Sequence, residues 1–239
     1  MFRYCFLLFS VAMHDDDTIP IMVARWWEAR LQGIGVSWLQ DTSYNQLNHG
    51  LICAFVERWH KETSSFHLPF GEMTVTLDDV SCLLHIPIDG MLLSHSTITR
   101  DEAVDMMVEH LGSNPRDALF EVNQTKGAHC QFSYLRKIFK ERMFEQLELE
   151  TEYGVTQEVQ RLQDQAVRIY LLYLVGITLF TDKSATAVDV VYLRYFRDLD
   201  IVAGYSWGAT RLSHLYRELS KAALWNCGQV SGYLTLLQV

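Results

Sequence analysis

Proline and glycine are scarce in this 239-residue chain, which contains 4 Pro and 13 Gly. No segment is low in complexity, and no repeat of fixed period is present. These absences argue against a disordered, collagen-like or solenoid protein. Hydrophobic residues make up 49% of the sequence, which is enough to bury a sizeable core. The composition therefore predicts one continuous folded domain.

Basic residues are also in short supply. The chain has 20 Lys and Arg against 29 Asp and Glu, a net charge of −9. Because binding to phosphates needs clustered Lys and Arg, this balance does not support attraction of the whole molecule to nucleic acid. The balance does not exclude a local basic patch. The candidate basic positions are residues 136–142 and Arg194, Arg197, Arg211 and Arg217. Their helical spacing among apolar residues favours solvated helix faces.

Cysteine occurs without any pattern of ligands or paired thiols. The five cysteines are Cys5, Cys53, Cys82, Cys130 and Cys227. They form no C-x-x-C pair and show no Cys/His spacing, so neither a disulfide framework nor a zinc site is indicated. We expect reduced, mostly buried thiols in an intracellular compartment.

Apolar runs long enough to span a membrane are missing. Residues 169–180 are too few for the roughly 20 that a spanning helix needs, and they predict a buried core helix. Residues 1–13 weakly resemble a secretory signal, so secretion is the alternative localisation. We expect no membrane partner.

The common catalytic motifs are absent as well. The sequence has no G-x-G-x-x-G, Walker A, H-E-x-x-H, G-x-S-x-G or kinase signature. Lys183, between Asp182 and Ser184, is the nearest approach to a pyridoxal-binding lysine, but this stretch is typical of a loop. The residues therefore predict no enzyme, no catalytic or cofactor-binding residue, no metal ligand and no cofactor.

The stretch of residues 57–90 combines turn signals with candidate ligands. His60 and His67, with Glu62 and Glu72 nearby, are residue types that bind metals, but they cross a Pro-Phe-Gly turn without a recognised spacing. Histidines on the polar face of a short hairpin more often face solvent or bond to backbone. For Glu72 we predict capping or an ion pair with Arg58. The stretch is interpreted as a structural corner.

Alternating apolar residues predict a short hairpin at this corner. Phe66, Leu68 and Phe70 alternate with polar residues or proline, as do Met73 and Val75 after the turn at 69–71. We expect Phe66, Leu68 and Phe70 to be buried and to hold the corner together.

A helix is predicted directly after the hairpin. Thr76 is a predicted N-cap, with Asp78 and Asp79 in the first turn. The helix should end before Pro87. The residues expected to be buried along it are Leu77, Val80, Leu83 and Leu84.

Helical periodicity dominates the rest of the chain. Amphipathic helices are predicted near 19–40 with breaks at Gly33 and Gly35, from 47 to 59, 99–111, 132–147, 156–180, 190–202 and 209–224. Thr99 and Glu102 form a predicted capping box, and Ser206 is a candidate cap. The fold class is mainly α: a single multi-helix domain with a β-hairpin-like excursion near residues 66–76. We place its domain at 19–239, truncated at its C-terminal end, after an atypical extension at 1–18.

Five ordered blocks carry a resemblance to a known family. They are FVERW at 55–59, FHLPFGEMTVTLDDV at 66–80, IPIDG at 86–90, YLLYLVGITLFTDKS at 170–184 and YSWGATRLSHLYREL at 205–219. Together they resemble the plant mobile domain, the aminotransferase-like domain of the Maintenance of Meristems-like family, from about residue 20 onward. His85 departs from the small or apolar residue usual there.

The resemblance implies a mostly α-helical, transposon-derived domain shared by mobile elements and host genes. Members are nuclear, are linked to meristem maintenance, genome integrity and transposon silencing, and have no established catalytic activity. Some relatives carry a phosphatase domain, which this chain lacks. We therefore expect a non-enzymatic nuclear interaction module with nuclear or chromatin-associated protein partners. Direct DNA binding inherited from a transposon is the alternative.

Overall fold

Helices supply most of the fold in the computed structural model, which describes residues 24–34, 48–179, 186–224 and 237. The α-helices are α1 Ala24–Ile34, α2 His49–Arg58, α3 Leu77–Leu84, α4 Arg100–Leu111, α5 Pro115–Gln124, α6 Phe132–Tyr153, α7 Gln157–Leu174 and α8 Trp207–Ala222. A π-helical segment, Val175–Leu179, continues α7, and 3-10 segments cover Val190–Phe196 and Leu199–Gly204. The mainly α prediction is confirmed.

Two small antiparallel sheets accompany the helices in the described part of the chain. The first has the order β1-β2-β3, formed by β1 Trp59–His60, β2 Ser65–Leu68 and β3 Gly71–Met73. The second pairs β4 His129–Gln131 with β5 Ala187–Asp189. The hairpin predicted near 66–76 is confirmed, with β1 as an additional strand.

The helix boundaries follow their capping residues. The hydroxyls of Thr76 and Thr99 each accept a bond from the backbone N–H three residues on. The backbone N–H groups of the same threonines donate to the carboxylates of Asp79 and Glu102. Gly112 ends α4 in the left-handed region with φ 66°. The predicted caps Thr76 and Thr99 are confirmed.

The core is centred on the packed pair α6 and α7. The second half of α7 is buried nearly all round, as its continuous apolar sequence predicted. Trp27 of α1 packs its ring against Phe139 of α6 and Tyr170 of α7, with ring centroids 5.6 and 5.0 Å away. Each such buried side chain contributes about 1.5–3 kcal/mol to stability.

The predicted helix at 190–202 is wrong, because the chain forms two 3-10 segments there. The carboxylates of Asp189 and Asp198 accept the backbone N–H groups of Val191 and Asp200, and each bond begins a new turn. The bends at 197–198 separate the two segments. Gly204 is the last residue of the second segment.

Helix α5 was not predicted, although its sequence carried the signal. Asn114 caps it through the N–H of Arg116, and Pro115 occupies its first turn. The break predicted at Gly33 is also wrong, since α1 continues to Ile34.

Several burial predictions at the front of the domain are wrong. Leu77 and Leu83 are exposed, because the two-turn helix α3 buries only Val80 deeply; the side chain of Leu84 lies outside the description. Cys53 and Cys82 are exposed thiols, whereas Cys130 is buried as expected. Cys5, Cys227, Leu47, Gly35 and the extension at 1–18 lie outside the described residues.

A search of the described residues finds no helix that is long and apolar enough to cross a membrane. The apolar stretch from residue 169 to Leu179 is instead buried in the core, as predicted, except for Ile177, which is 38% exposed.

Candidate functional site

The candidate ligands at the hairpin lie on the outer face of the sheet β1-β2-β3. Side chains alternate between the faces of a strand, and the register pairs Trp59 with Phe66 and His67 with Glu72. The inner face therefore carries Trp59 and Phe66. The outer face carries the polar cluster, which we define as His60, Thr63, Ser65, His67 and Glu72.

Hydrogen bonds and ring stacking connect the polar cluster. The imidazoles of His60 and His67 stack with centroids 3.5 Å apart and planes within 4° of parallel. His67 Nε2 lies 3.2 Å from Glu72 Oε1, and Ser65 Oγ donates to Glu72 Oε2 at 3.0 Å. The hydroxyls of Thr63 and Ser65 are 2.7 Å apart. Glu62, the fourth sequence candidate, is exposed in the preceding turn and is not among these contacts.

The ring geometry disfavours one metal shared by both histidines. A metal binds an imidazole nitrogen in the plane of its ring at about 2.1 Å, so two parallel planes 3.5 Å apart cannot meet at one ion. Over the part of the chain that the structure describes, no group of three or more His, Cys, Asp and Glu residues is placed to hold a metal.

Ser65, His67 and Glu72 are the residue types of a nucleophilic triad, but their order differs. A triad needs the base histidine bonded to the serine hydroxyl. Here Glu72 lies between them and binds both Ser65 Oγ and His67 Nε2. This arrangement fastens β2 to β3 and leaves the serine hydroxyl bonded to a carboxylate.

The predicted partner of Glu72 is wrong. Arg58 donates to the carbonyl of Ala54 at 2.7 Å and lies 4.0 Å from Glu57. Arg58 is the last residue of α2, where its guanidinium reaches the carbonyls at the helix end. Glu72 is instead satisfied across the strands by Ser65 and His67.

Aromatic contacts fix the inner face of the sheet to the core. Phe66 packs against Phe55 and Trp59, with centroids 5.1 and 4.9 Å away. The indole N–H of Trp59 donates to Ser220 Oγ of α8 at 3.0 Å. Tyr216 of α8 also donates its hydroxyl to the carbonyl of Val75. The hairpin is thus held in a fixed position on α8.

The hairpin tip leaves apolar side chains in water. Phe70 is 77% exposed, Met73 54% and Leu77 39%. We call these three residues the apolar tip. The predicted burial of Phe70 is wrong, because Phe70 belongs to the turn between β2 and β3, where the alternation of the strands does not apply.

Two of the blocks noted in the sequence meet at the start of α8. The N–H of Gly208 donates to the carbonyl of Pro87 at 2.7 Å, and Met91 exchanges backbone bonds with Gly204 and Ser206 at 2.9 and 2.8 Å. Ser206 occupies the N-cap position, as predicted, but its hydroxyl donates to the carbonyl of Ile88 and makes no cap bond. The loop after α3 is therefore fastened to α8.

Glycine makes this close approach possible. A Cβ on Gly90, whose φ is 118°, would lie 2.3 Å from the carbonyl oxygen of Gly204. A Cβ on Gly208 would lie 3.0 Å from the carbonyl oxygen of Pro87. Both positions exclude larger residues unless the backbone moves.

Some of the basic residues lie on the solvated faces that their spacing indicated, but Arg211 does not. Arg211 is 1% exposed and donates to the carbonyl of Thr178 at 3.3 Å, so its predicted exposure is wrong. Lys137 lies between Asp117 and Glu141 at 3.7 and 3.9 Å. Arg194, Arg197 and Arg217 are exposed.

Buried ionisable groups hold elements together. Glu121 of α5 accepts the N–H of Gln131 at 2.8 Å, and burial raises the pKa of its carboxyl. Burial likewise raises the pKa of Tyr134 to about 12 and lowers that of His110. None of these groups gave a signal in the sequence, because their burial depends on tertiary packing. Asp182 and Lys183 lie outside the described residues.

The family of the chain is shown by comparison with known proteins. The described residues form a helical domain with an exposed apolar tip and a polar cluster whose side chains bond to one another. The family model for the plant mobile domain matches residues 35–239, and the chain therefore belongs to the plant mobile domain family. The resemblance noted in the sequence is confirmed.

Three curated relatives come from Arabidopsis thaliana. The chain is 37% identical to Protein MAIN-LIKE 1 over 85% of this chain and 37% of the relative. It is 32% identical to Protein MAINTENANCE OF MERISTEMS over 88% of this chain and 40% of the relative. It is also 32% identical to a serine/threonine-protein phosphatase 7 long form homolog, over 96% of this chain and 15% of the relative.

The chain spans well under half the length of these relatives. Comparison with solved structures finds no significant match.

Proposed function

We propose that this chain is a non-enzymatic protein-interaction module that works in the nucleus with chromatin-associated partners. The observation that carries the proposal is the concentration of exposed large apolar side chains in residues 51–92. They are Leu51, Phe70, Met73, Leu77, Leu83, Met91 and Leu92. Contiguous patches of large apolar side chains that stay in water are typical of contact surfaces.

The polar cluster supports the same proposal. A catalytic carboxylate or serine must be within reach of a substrate and of its base. Ser65 is buried and bonded to Glu72, which also contacts His67. These bonds stabilise the sheet that carries the apolar tip.

The family membership supports the proposed biological setting. One relative is named for the maintenance of meristems, and another is named as a homolog of a protein phosphatase. For this chain we propose a transposon-derived module with a role in meristem maintenance, genome integrity and transposon silencing. Catalysis, where relatives possess it, would belong to their additional length.

Direct DNA binding is the rival function, and one group of residues favours it. Arg194 and Arg217 are exposed and both act on His95, whose pKa is lowered by burial, with further lowering by these two cations. Against this rival, Arg211 is buried and the net charge is −9.

A capture experiment separates the two functions. The full tagged chain is purified from plant nuclei with and without DNase, and its binding to a labelled DNA duplex is measured at about 50 mM salt, where phosphate contacts are strong. We expect specific proteins to remain after DNase and the duplex to stay unbound. Loss of all partners with DNase, together with salt-sensitive duplex binding, would establish the rival. A fluorescent fusion excluded from the nucleus would contradict the nuclear proposal.

A further inference from the structure

We infer that the free edge of β3 binds an extended basic peptide of a partner protein, in which Lys or Arg alternates with large apolar residues. This inference rests on the proposed function and specifies its partner. The peptide would add a strand to the sheet β1-β2-β3, and its side chains would contact Glu72 on one face and the apolar tip on the other.

The first observation is the open edge of the sheet. β3 is the last strand in the order β1-β2-β3, and no strand pairs with its outer side within the described ranges. All three of its residues are exposed. Natural edge strands are usually protected by a short length, by charged side chains, by proline, by a bulge or by a covering element. The strand β3, Gly-Glu-Met, is short and carries Glu72, a charge that repels acidic strands and attracts a basic one.

The second observation is the different chemistry of the two faces beside this edge. Glu72 points to the polar face, where its side chain is 55% exposed despite its bonds to Ser65 and His67. Met73 points to the opposite face, and Phe70 precedes the strand at the tip. Side chains of an added strand alternate in the same way, so successive residues would meet a carboxylate and then an apolar surface.

The local charge indicates which kind of partner binds at the edge of β3. Between residues 57 and 79 the chain carries the carboxylates of Glu57, Glu62, Glu72, Asp78 and Asp79, against the cations Arg58 and Lys61. This excess of negative charge attracts a basic peptide. A second copy of the chain would bring the same carboxylates to the edge, and DNA would bring phosphates, so both would be repelled.

The length of the edge limits the contact. After Met73 the chain turns toward α8, where the hydroxyl of Tyr216 lies 2.8 Å from Thr74 Oγ1 and donates to the carbonyl of Val75. A strand of three residues spans about 10 Å. Backbone pairing is therefore short, and the apolar tip must contribute to the affinity.

The test uses a fluorescein-labelled peptide of eight residues in which Lys and Val alternate, and its anisotropy is measured with the full chain. The control peptide has the same composition, with all Lys before all Val. The test variants are Phe70→Ser and Glu72→Lys. The matched controls are Phe120→Ser and Glu148→Lys, which alter exposed residues of α5 and α6. Sedimentation measures the mass of the chain, and circular dichroism checks folding.

We expect the alternating peptide to bind more tightly than the block peptide. Phe70→Ser should weaken binding about tenfold or more, because a large apolar side chain leaves the contact. Glu72→Lys should weaken it about fivefold through charge reversal. The control variants should bind as the unaltered chain does.

Four outcomes would overturn the inference. They are equal binding of both peptides, no binding of either peptide, an equal loss of binding in the control variants, and a dimer that Phe70→Ser dissociates. The last outcome would assign the edge to a second copy.

The proposed function is tested separately, by the nuclear partners that remain bound after DNase. If those partners remain but the peptide does not bind, only the assignment of binding to this edge is contradicted.

Discussion

Phe66 and Phe70 lie four residues apart in one hairpin, yet Phe66 is 3% exposed and Phe70 is 77% exposed. Phe66 pairs with Met73 on the inner face of the sheet and contacts the ring of Trp59. Phe70 lies in the turn, beyond the last strand pair between Leu68 and Gly71. One side chain therefore stabilises the fold, and the other is available to a partner.

This difference in exposure predicts that alanine substitutions of the two residues will affect stability very differently. Phe66→Ala should lower the free energy of unfolding by about 3–5 kcal/mol, because it leaves a cavity beside Trp59. Phe70→Ala should change it by less than about 0.5 kcal/mol, as is usual for exposed positions. Urea unfolding followed by circular dichroism measures both. Equal destabilisation by the two substitutions would mean that Phe70 is buried.

The sequence predicted this hairpin but not the roles of its residues. The turn at 69–71 and the caps Thr76 and Thr99 depend on neighbours within a few positions, so local patterns indicate them. The exposure of Leu77 and Leu83 depends on what α8 covers, and α8 lies more than a hundred residues away. Periodicity shows that a residue is apolar and on a face, without showing how far the core extends.

Gly90 provides a test of the contact between the loop after α3 and α8. Gly90→Ala should destabilise the chain by about 2 kcal/mol or more, because φ is 118° and the new Cβ would lie 2.3 Å from the carbonyl oxygen of Gly204. Thermal unfolding measures the change. Gly33→Ala is the matched control, since Gly33 is helical with open space around its Cβ position. It should stabilise α1 by about 0.5–1 kcal/mol. A neutral result at Gly90 would contradict the contact.

Glu121 predicts a pH dependence of stability. Burial raises the pKa of its carboxyl above the usual 4.5, so the folded state holds the proton more tightly than the unfolded state does. The stabilisation is complete below pH 4.5 and is lost as the pH rises through the folded-state pKa. Glu121→Gln keeps an acceptor for the N–H of Gln131 and should remove this decline. Urea midpoints over a pH series measure it.

Glu102 is the control, because the shift of its pKa is opposite in sign to that of Glu121. Its backbone and side-chain bonds with Thr99 lower the pKa of its carboxyl, so its stabilisation is present above the usual 4.5 and is lost as the pH falls. Glu102→Gln should therefore flatten the acidic part of the profile, below that value. Identical profiles for both variants would contradict the assignment of these two environments.

The stacked histidines predict little effect on stability and no metal dependence. His60→Ala and His67→Ala should each change the free energy of unfolding by less than about 1 kcal/mol, because both side chains are at the surface. Zinc chloride should leave the melting temperature of the unaltered chain unchanged. A rise in melting temperature with zinc that both substitutions abolish would mean that the rings separate and bind the ion.

The polar cluster shows how far sequence reasoning reaches at a site. His60, His67 and Glu72 were identified as candidates from their types, and the structure brings them together. Their stacking and the bond from Ser65 depend on the register of three strands. The sequence around β1 gave no sign of a strand. The register between β1 and β2 could therefore not be predicted. Arg211 was placed on a surface for the same reason: local spacing does not reveal burial.

The most direct test of the interaction proposal compares the nuclear proteins captured by three full-length forms. They are the unaltered chain, Phe70→Ser at the apolar tip and Phe120→Ser at α5, each purified after DNase and quantified by mass spectrometry. Both substituted positions are exposed, at 77% and 66%, so both variants should fold. We predict that one set of partners is lost with Phe70→Ser and retained with Phe120→Ser. Identical partner sets for all three forms would contradict the assignment of binding to the apolar tip.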